Sequence, residues 1–348
     1  MSSAVSTREL TTTELTDALR AFLGRNLPPG AEPEIAALHR AGTGSSRENW
    51  PFDATWLESG ERSTHRLLMR RDPQSAVVDT ARSAEFHLLQ ALEATPIPAP
   101  RVRWLDDEGT DLARPTMIGD RYDGSAHRGV LRDKNPLRLS SEQRLALAHD
   151  MCDVLGQLHS VDIDALGFRD ILPVPDGSPA EHELERWIGE LTGSELEPQP
   201  GLRLSAEWLR DNIPASPDRL VLVHGDFRPA NVLVDDGKFG VLLDWELARL
   251  GDPLDDLGWY TTPLYRGEHF VPGQWTQEDF LARYAAATGR DVAPEALTFW
   301  QVLSTFRLAV IALNGVRNFC ELGSDRPTAP VDSLIAKVVD QVLAAEKG

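Results

Sequence analysis

Basic residues are scarce in this chain of 348: 35 Lys and Arg stand against 54 Asp and Glu, a formal net charge of −19 at pH 7. Such a surface repels polyanions, which argues against nucleic acid as a partner and against docking on an anionic membrane. Cysteine is nearly absent. Cys152 and Cys320 lie far apart in apolar helical contexts, with no zinc spacing and no disulfide framework, so both read as reduced core residues of a cytosolic protein. No apolar run approaches the length of a membrane span, and the opening M-S-S-A-V-S-T-R-E-L lacks the apolar core of a leader. Repeats and low-complexity tracts are missing as well. The expectation is a soluble, cytoplasmic chain, long enough to bury a large core in two domains or one two-lobed domain. The acidic excess fits a cationic substrate or simply a solvated surface.

What the chain does have is concentrated between Leu220 and Gly258. Three apolar runs, Leu220–Val223, Val232–Val234 and Val241–Leu243, have strand length and β-branched content. The first ends in His224-Gly225-Asp226, the second follows Asn231, and the third ends in Asp244-Trp245-Glu246. Asp235-Asp236-Gly237 joins the last two runs as a hairpin turn. Asp226, Asn231 and Asp244 therefore fall where strands meet loops, positions that are held rigidly yet open to a ligand. Phosphoryl transfer needs this trio: a carboxylate to orient a hydroxyl and accept its proton, and oxygen ligands to hold Mg²⁺ on phosphates.

The pattern H-G-D-x-x-x-x-N, with D-W-E thirteen residues after the Asn and G-D-P-L-D-D-L beyond it, resembles the aminoglycoside phosphotransferase/choline kinase family of small-molecule kinases. The resemblance runs over roughly 34–342 and is specific between Val221 and Leu257. It implies an α+β, protein-kinase-like two-lobed fold. An N-terminal nucleotide-binding lobe, 1–124, would hold an antiparallel sheet with a helix; a larger, mainly helical catalytic and acceptor-binding lobe would span 125–348. It implies transfer of a phosphoryl group from ATP or GTP to a hydroxyl of a small molecule, with Asp226 as base and Asn231 and Asp244 as Mg²⁺ ligands. It further implies that Asp256 fixes the loop from behind; by their own positions His224 reads as a brace of the loop, and Asp252 and Asp255 as caps of the next helix. Arg228 is left open, to a γ-phosphate, an anionic substrate or the surface.

Upstream, Thr11-Thr12-Thr13-Glu14 ahead of Leu15, Leu19, Phe22 and Leu23 predicts a capped amphipathic helix. Strands are expected over Glu34–His39, up to Trp56, and over His65–Arg71. The turn holding Gly42, Gly44, Ser45 and Ser46 is by itself an ordinary hairpin; the resemblance makes it the loop that covers the phosphates. There is no Lys before Lys134, so Arg70 is the match for the family's phosphate-gripping Lys, a departure because Arg is not a neutral swap. Glu85, in a helix expected over Val77–Ala94, is the match for its ion-pair partner. Extended runs at Arg101–Leu105 and Pro115–Ile118 lead to Asp120 and Tyr122, placed at the adenine edge by position in the resemblance.

Past the hinge the pattern turns helical: Ser140 to His159, Glu181–Leu191, Leu204–Asn212, Thr276–Thr288, Pro294–Leu322 and Val331–Lys347. His159 reads as structural, the acidic run from Glu181 to Glu197 as a solvated face or a cation-binding one, and Pro294–Leu322 as a core helix. Trp259, Tyr260, Tyr265 and Trp275 read as packing residues or as the lining of a substrate pocket. An aminoglycoside-like cation is one acceptor class. Hydroxyacyl-CoA, macrolide, amino-alcohol and sugar acceptors are others, and a non-catalytic nucleotide or metabolite sensor is the alternative. The oligomeric state is open.

Overall fold

The computed structural model describes residues 10–42, 48–72, 82–322 and 330–347. The chain forms two compact units, one of Met1–Glu93 with Ala99–Asp123, the other of Ala94–Pro98 with Gly124–Gly348.

In the first unit, α1 (Thr12–Asn26) starts at a capping box. Thr11 Oγ1 accepts from the Glu14 N–H at 3.3 Å, and the Glu14 carboxylate accepts from the Thr11 N–H at 2.8 Å. Its buried stripe is the predicted one, Leu15, Leu19, Phe22 and Leu23. An antiparallel sheet follows, built from β1 (Glu34–Ala36), β2 (Glu48–Glu58), β3 (Glu61–Arg71), β4 (Val102–Asp106) and β5 (Thr116–Asp120), with α2 (Arg82–Leu92) between β3 and β4. The strand order is β1-β2-β3-β5-β4. Ser59 and Gly60, with φ of 51° and 89°, make the tight β2–β3 turn whose twist suits the flanking strands. Phe52, Ala54 and Trp56 of β2 and Leu67 and Met69 of β3 pack in one core with the α1 stripe. The period of two then sends Leu68 and Arg70 to the other face. Arg71 returns to the buried side and donates to the Leu112 carbonyl at 2.9 Å. The start of the expected 77–94 helix lies outside the described residues, as do Gly44, Ser45 and Ser46.

In the second unit, α3 (Ser141–Leu158) begins at a Ser140–Gln143 capping box. Its buried side includes Leu147, Ala148, Met151, Cys152, Leu155 and Leu158. Then come α4 (Phe168–Ile171), α5 (Pro179–Ser194) and α6 (Pro200–Asp211). The last starts four residues before the predicted Leu204, because Pro200 sits in its first turn, where a missing N–H costs nothing. The central strands are β6 (Val221–Val223), β7 (Val232–Asp235) and β8 (Lys238–Leu242), followed by β9 (Arg249–Gly251), which pairs antiparallel with β6. The helices α7 (Pro253–Thr261), α8 (Arg266–His269), α9 (Gln277–Thr288), α10 (Pro294–Leu322) and α11 (Val331–Ala345) complete the unit.

Residues Pro294–Glu321 are, by length and composition, apolar enough to cross a membrane, which corrects the reading that no run is that long. Within that stretch, the most apolar 18-residue window has 72 % of its residues buried inside the protein. Phe299, Trp300 and Phe306 are at most 1 % exposed and share one core cluster with side chains of α5, α6 and α11, and truncating any of them to Ala costs about 3–5 kcal/mol. It is the core helix of this unit. Cys152 is buried, and burial pushes its thiol up to about 12; Cys320 is exposed, so only one of the two is a core residue.

Candidate active site

Strand β6 is fully buried and delivers His224-Gly225-Asp226 at its end. Strands β7 and β8 form the predicted hairpin, turning at Asp236 and Gly237 with φ of 48° and 73°. The hairpin brings Asn231, at its entrance, next to Leu243 at its exit: the Leu243 N–H donates to the Asn231 carbonyl at 2.7 Å. Asp244 follows in the left-handed region, φ 61° and ψ 62°. A non-glycine residue keeps that conformation only where its surroundings over-determine it, which is common at functional sites. Trp245 supplies such surroundings, buried with its Nε1 donating to Leu242 O at 2.8 Å.

The loop is tied down from behind. Asp256, on α7, accepts from the His224 N–H at 2.7 Å and the Gly225 N–H at 2.8 Å, and lies 3.2 Å from His159 Nε2. His159 in turn meets the Tyr284 hydroxyl at 2.7 Å, so it is the structural residue the sequence suggests. Burial by itself raises the Asp256 carboxyl. The hydrogen bond and charge of His159, with His224, outweigh it and hold the group at about 2. Burial lowers His224 below its ordinary value, against the nearby charges of Asp256, Asp226 and Asp244. Its Nδ1 accepts from the Asp226 N–H at 3.2 Å, and its Nε2 donates to Leu243 O at 2.9 Å. His224 thus braces the loop at both ends.

Asp226 stands at the front. Asn231 Nδ2 donates to its backbone carbonyl at 2.9 Å and to its Oδ2 at 2.8 Å, and Arg228 Nη2 lies 3.0 Å from the same Oδ2. Oδ1 is buried and has no hydrogen-bond partner among the described residues. Burial raises the carboxyl above the usual carboxylate value, Arg228, Asn231 and His224 oppose it, and the charge of Asp244 adds to the rise. The structure therefore gathers His224, Asp226, Asn231, Asp244 and Asp256 within the second unit.

The remaining predicted residues belong to the first unit. Arg70 Nη1 pairs with Glu85 Oε1 at 3.1 Å, with the Glu85 side chain only 3 % exposed. Asp120 ends β5 and pairs with Arg103; the Tyr122 hydroxyl accepts from the Arg101 N–H at 2.9 Å. Gly42 takes φ 65° beside the Ala41–Asn49 bridge.

Several residues differ from their sequence reading. Asp252 does cap α7, accepting from the Leu254 N–H at 2.8 Å. Asp255 does not: it is buried and pairs with Arg249 and, at 3.2 Å, with Arg307 Nη1. Glu183, read with the solvated acidic face, is 5 % exposed and lies 3.1 Å from Arg249 Nε. Arg307 was legible in principle, because a lone Arg between Phe306 and Leu308 in a core helix has to find a partner. Trp259, Tyr260, Tyr265 and Trp275 are all buried. A cleft of about 670 Å³ opens between the ends of α6, α10 and α11, and none of Asp226, Asn231 or Asp244 lines it.

Comparison with known proteins agrees with this geometry. The model of the APH phosphotransferase enzyme family matches residues 47–300. Among similar proteins, acyl-CoA dehydrogenase family member 11 of Rattus norvegicus is 26 % identical over 310 residues, covering 85 % of this chain and 38 % of that protein. The chain thus spans well under half the length of that relative. Aminoglycoside 3'-phosphotransferase of Streptomyces fradiae is 28 % identical over 249 residues, 68 % of this chain and 82 % of its own length. A crystal structure from Ralstonia eutropha JMP134, provisionally described as an aminoglycoside phosphotransferase, superposes with a TM-score of 0.73 at 22 % identity, over 95 % of this chain and 98 % of that one. That likeness shows a shared fold. With the family model covering most of its length, the chain belongs to the phosphotransferase enzyme family.

Proposed function

We propose that the chain moves the γ-phosphoryl group of ATP or GTP to a hydroxyl of a small molecule, with Asp226 taking the acceptor's proton. One observation carries this reading: Asp226 presents a buried oxygen, Oδ1, without a partner among the described residues, while Asn231 and Arg228 hold its other oxygen. A fixed carboxylate of raised pKa, with one acceptor oxygen to spare, suits a hydroxyl that must be oriented first and deprotonated late. Asn231 Oδ1 and the Asp244 carboxylate would hold Mg²⁺. A hard cation that keeps its waters and takes one or two protein oxygens plus phosphates fits this small donor set. When bound, Mg²⁺ neutralises charge on the phosphate oxygens. In the N-terminal part, Arg70 steadied by Glu85 would grip the phosphates and the turn at Gly42, Gly44, Ser45 and Ser46 would cover them. Asp120 and Tyr122 would border the adenine.

Two acceptor readings have support. The net charge of −19 and the likeness to aminoglycoside 3'-phosphotransferase favour a polycationic sugar. The likeness to proteins named as acyl-CoA dehydrogenase family members favours a hydroxylated acyl-CoA thioester, and Arg228 beside Asp226 would suit its negative charge. The test is Mg²⁺-dependent consumption of ATP and GTP with aminoglycosides, hydroxyacyl-CoA thioesters, macrolides, amino alcohols and sugars, Asp226→Asn serving as the blank. Phosphorylation of one class, absent from the blank, is the expected outcome. Nucleotide binding without transfer to any acceptor or to water would favour a sensor instead.

A further inference from the structure

We propose that Arg307, on α10, is a positioning residue for Asp226, acting through the Gly225 carbonyl; the proposal rests on the reading of Asp226 as the base. Arg307 Nη2 donates to Gly225 O at 3.1 Å, a contact between residues 82 apart in the chain. A peptide unit is planar, so the Gly225 oxygen and the Asp226 nitrogen lie in one rigid plate whose edge is the Asp226 Cα. Arg307 holds the oxygen side of that plate. His224 Nδ1, accepting from the Asp226 N–H at 3.2 Å, holds the nitrogen side. With both edges fixed, the direction in which Asp226 leaves the loop is fixed too.

The preceding residue is already committed. Gly225 has φ 83°, and a Cβ there would come within 2.5 Å of Arg249 Nη1 and 2.6 Å of Leu247 O. Asp256 holds its N–H. Without Arg307, the carbonyl side of the Gly225–Asp226 peptide would lose its tether.

Arg307 is itself immobilised. It is 2 % exposed, its Nη1 lies 3.2 Å from Asp255 Oδ1, and its guanidinium sits 4.3 Å above the Trp259 ring. Asp255 also pairs with Arg249, whose Nε lies 3.1 Å from Glu183 on α5. Two acids and two bases thus balance in one buried cluster, and its last member reaches the catalytic loop. Arginine suits this end because its planar fork presents one nitrogen to the carboxylate and the other to the carbonyl in a fixed geometry; a lysine ammonium is a single nitrogen on a flexible stem and does not hold the two acceptors in that register.

The test uses Arg307→Lys in the full chain, which keeps the charge opposite Asp255 and gives up the fork. The double variant Arg307→Met with Asp255→Asn removes one charge of each sign, and stands in should the single variant not fold. Three quantities are read on variants with wild-type melting behaviour. They are kcat with the acceptor identified above (or Mg-ATP hydrolysis to water), the Kd for Mg-ATP, and amide exchange at Asp226. The expected result is kcat lower by about 100-fold, an unchanged Kd, and exchange at Asp226 faster by about tenfold, with exchange along α10 unaltered. A folded variant with wild-type kcat, or with wild-type exchange at Asp226, overturns the proposal. If the wild type turns over no acceptor and no water, the kinase reading fails on its own, and exchange at Asp226 alone decides whether Arg307 holds the peptide.

Discussion

The two sides of the His224–Asp226 loop are built from the same residue types to opposite ends. Behind it, Asp256 is buried with both oxygens matched, by the His224 and Gly225 N–H groups and by His159. In front, the Asp226 side chain is 16 % exposed, with one oxygen matched and the other, itself buried, without a partner among the described residues. Burial pushes both carboxyls up. Donors around Asp256 reverse the effect and bring it to about 2, whereas those around Asp226 leave it raised. A carboxylate that is fully satisfied serves the fold. One that is left with a bare oxygen among the described residues, as Asp226 is, costs stability, which fits the proposed role of Asp226 toward a ligand.

The largest effect that separates the two sides is on turnover. Asp226→Asn should lower it by at least about 10³-fold and leave Mg-nucleotide affinity nearly unchanged. The same substitution should not destabilise the fold at neutral pH. The folded pKa of Asp226 lies above its unfolded value, so its ionisation opposes folding above that pKa, and the opposition fades as pH falls through it. Urea unfolding of the variant at pH 7 to 8 checks this; a marked loss of stability would place Asp226 with the rear residues.

Asp256→Asn should behave the other way and lose about 2–4 kcal/mol by the same measurement. In the wild type the contribution of Asp256 is fully present above its unfolded value of 3.8 and is lost as pH falls toward about 2. The variant should therefore lack that part of the acid-side loss. Gly225→Ala, which forces a Cβ against Leu247 O and Arg249 at φ 83°, should cost about 1–3 kcal/mol along with turnover. The smallest effect is expected outside the loop. Glu85→Gln should weaken Mg-ATP binding by about fivefold through Arg70, read by titration calorimetry, with a stability loss of about 1–3 kcal/mol because the pair is buried. An equal loss from Glu85→Gln and Asp226→Asn in nucleotide affinity would erase the distinction between grip and base.

The sequence was most legible where periodicity and punctuation coincide. The α1 capping box with its four buried positions, the β7–β8 hairpin at Asp236-Gly237 and the bounds of α10 all follow from local pattern. The loop-to-strand positions of Asp226, Asn231 and Asp244 were legible for the same reason. Strand β9 was not, because three residues cannot display a period and its partner β6 lies far upstream. The environments of Glu183 and Asp255 were hidden too. A Glu in an acidic helix and an Asp near a helix start look solvated or capping until Arg249 and Arg307 arrive from elsewhere in the chain. Cys320 misled because α10 is apolar along its length while Cys320 lies near its exposed end.

The most direct test of the account is a single-turnover transfer from Mg-ATP or Mg-GTP to the best acceptor of the panel, run on wild type and on Asp226→Asn with nucleotide binding measured on both. The account predicts equal binding, transfer by the wild type, and loss of transfer in the variant. Equal transfer by both proteins would contradict it, and would remove Asp226 from the chemistry.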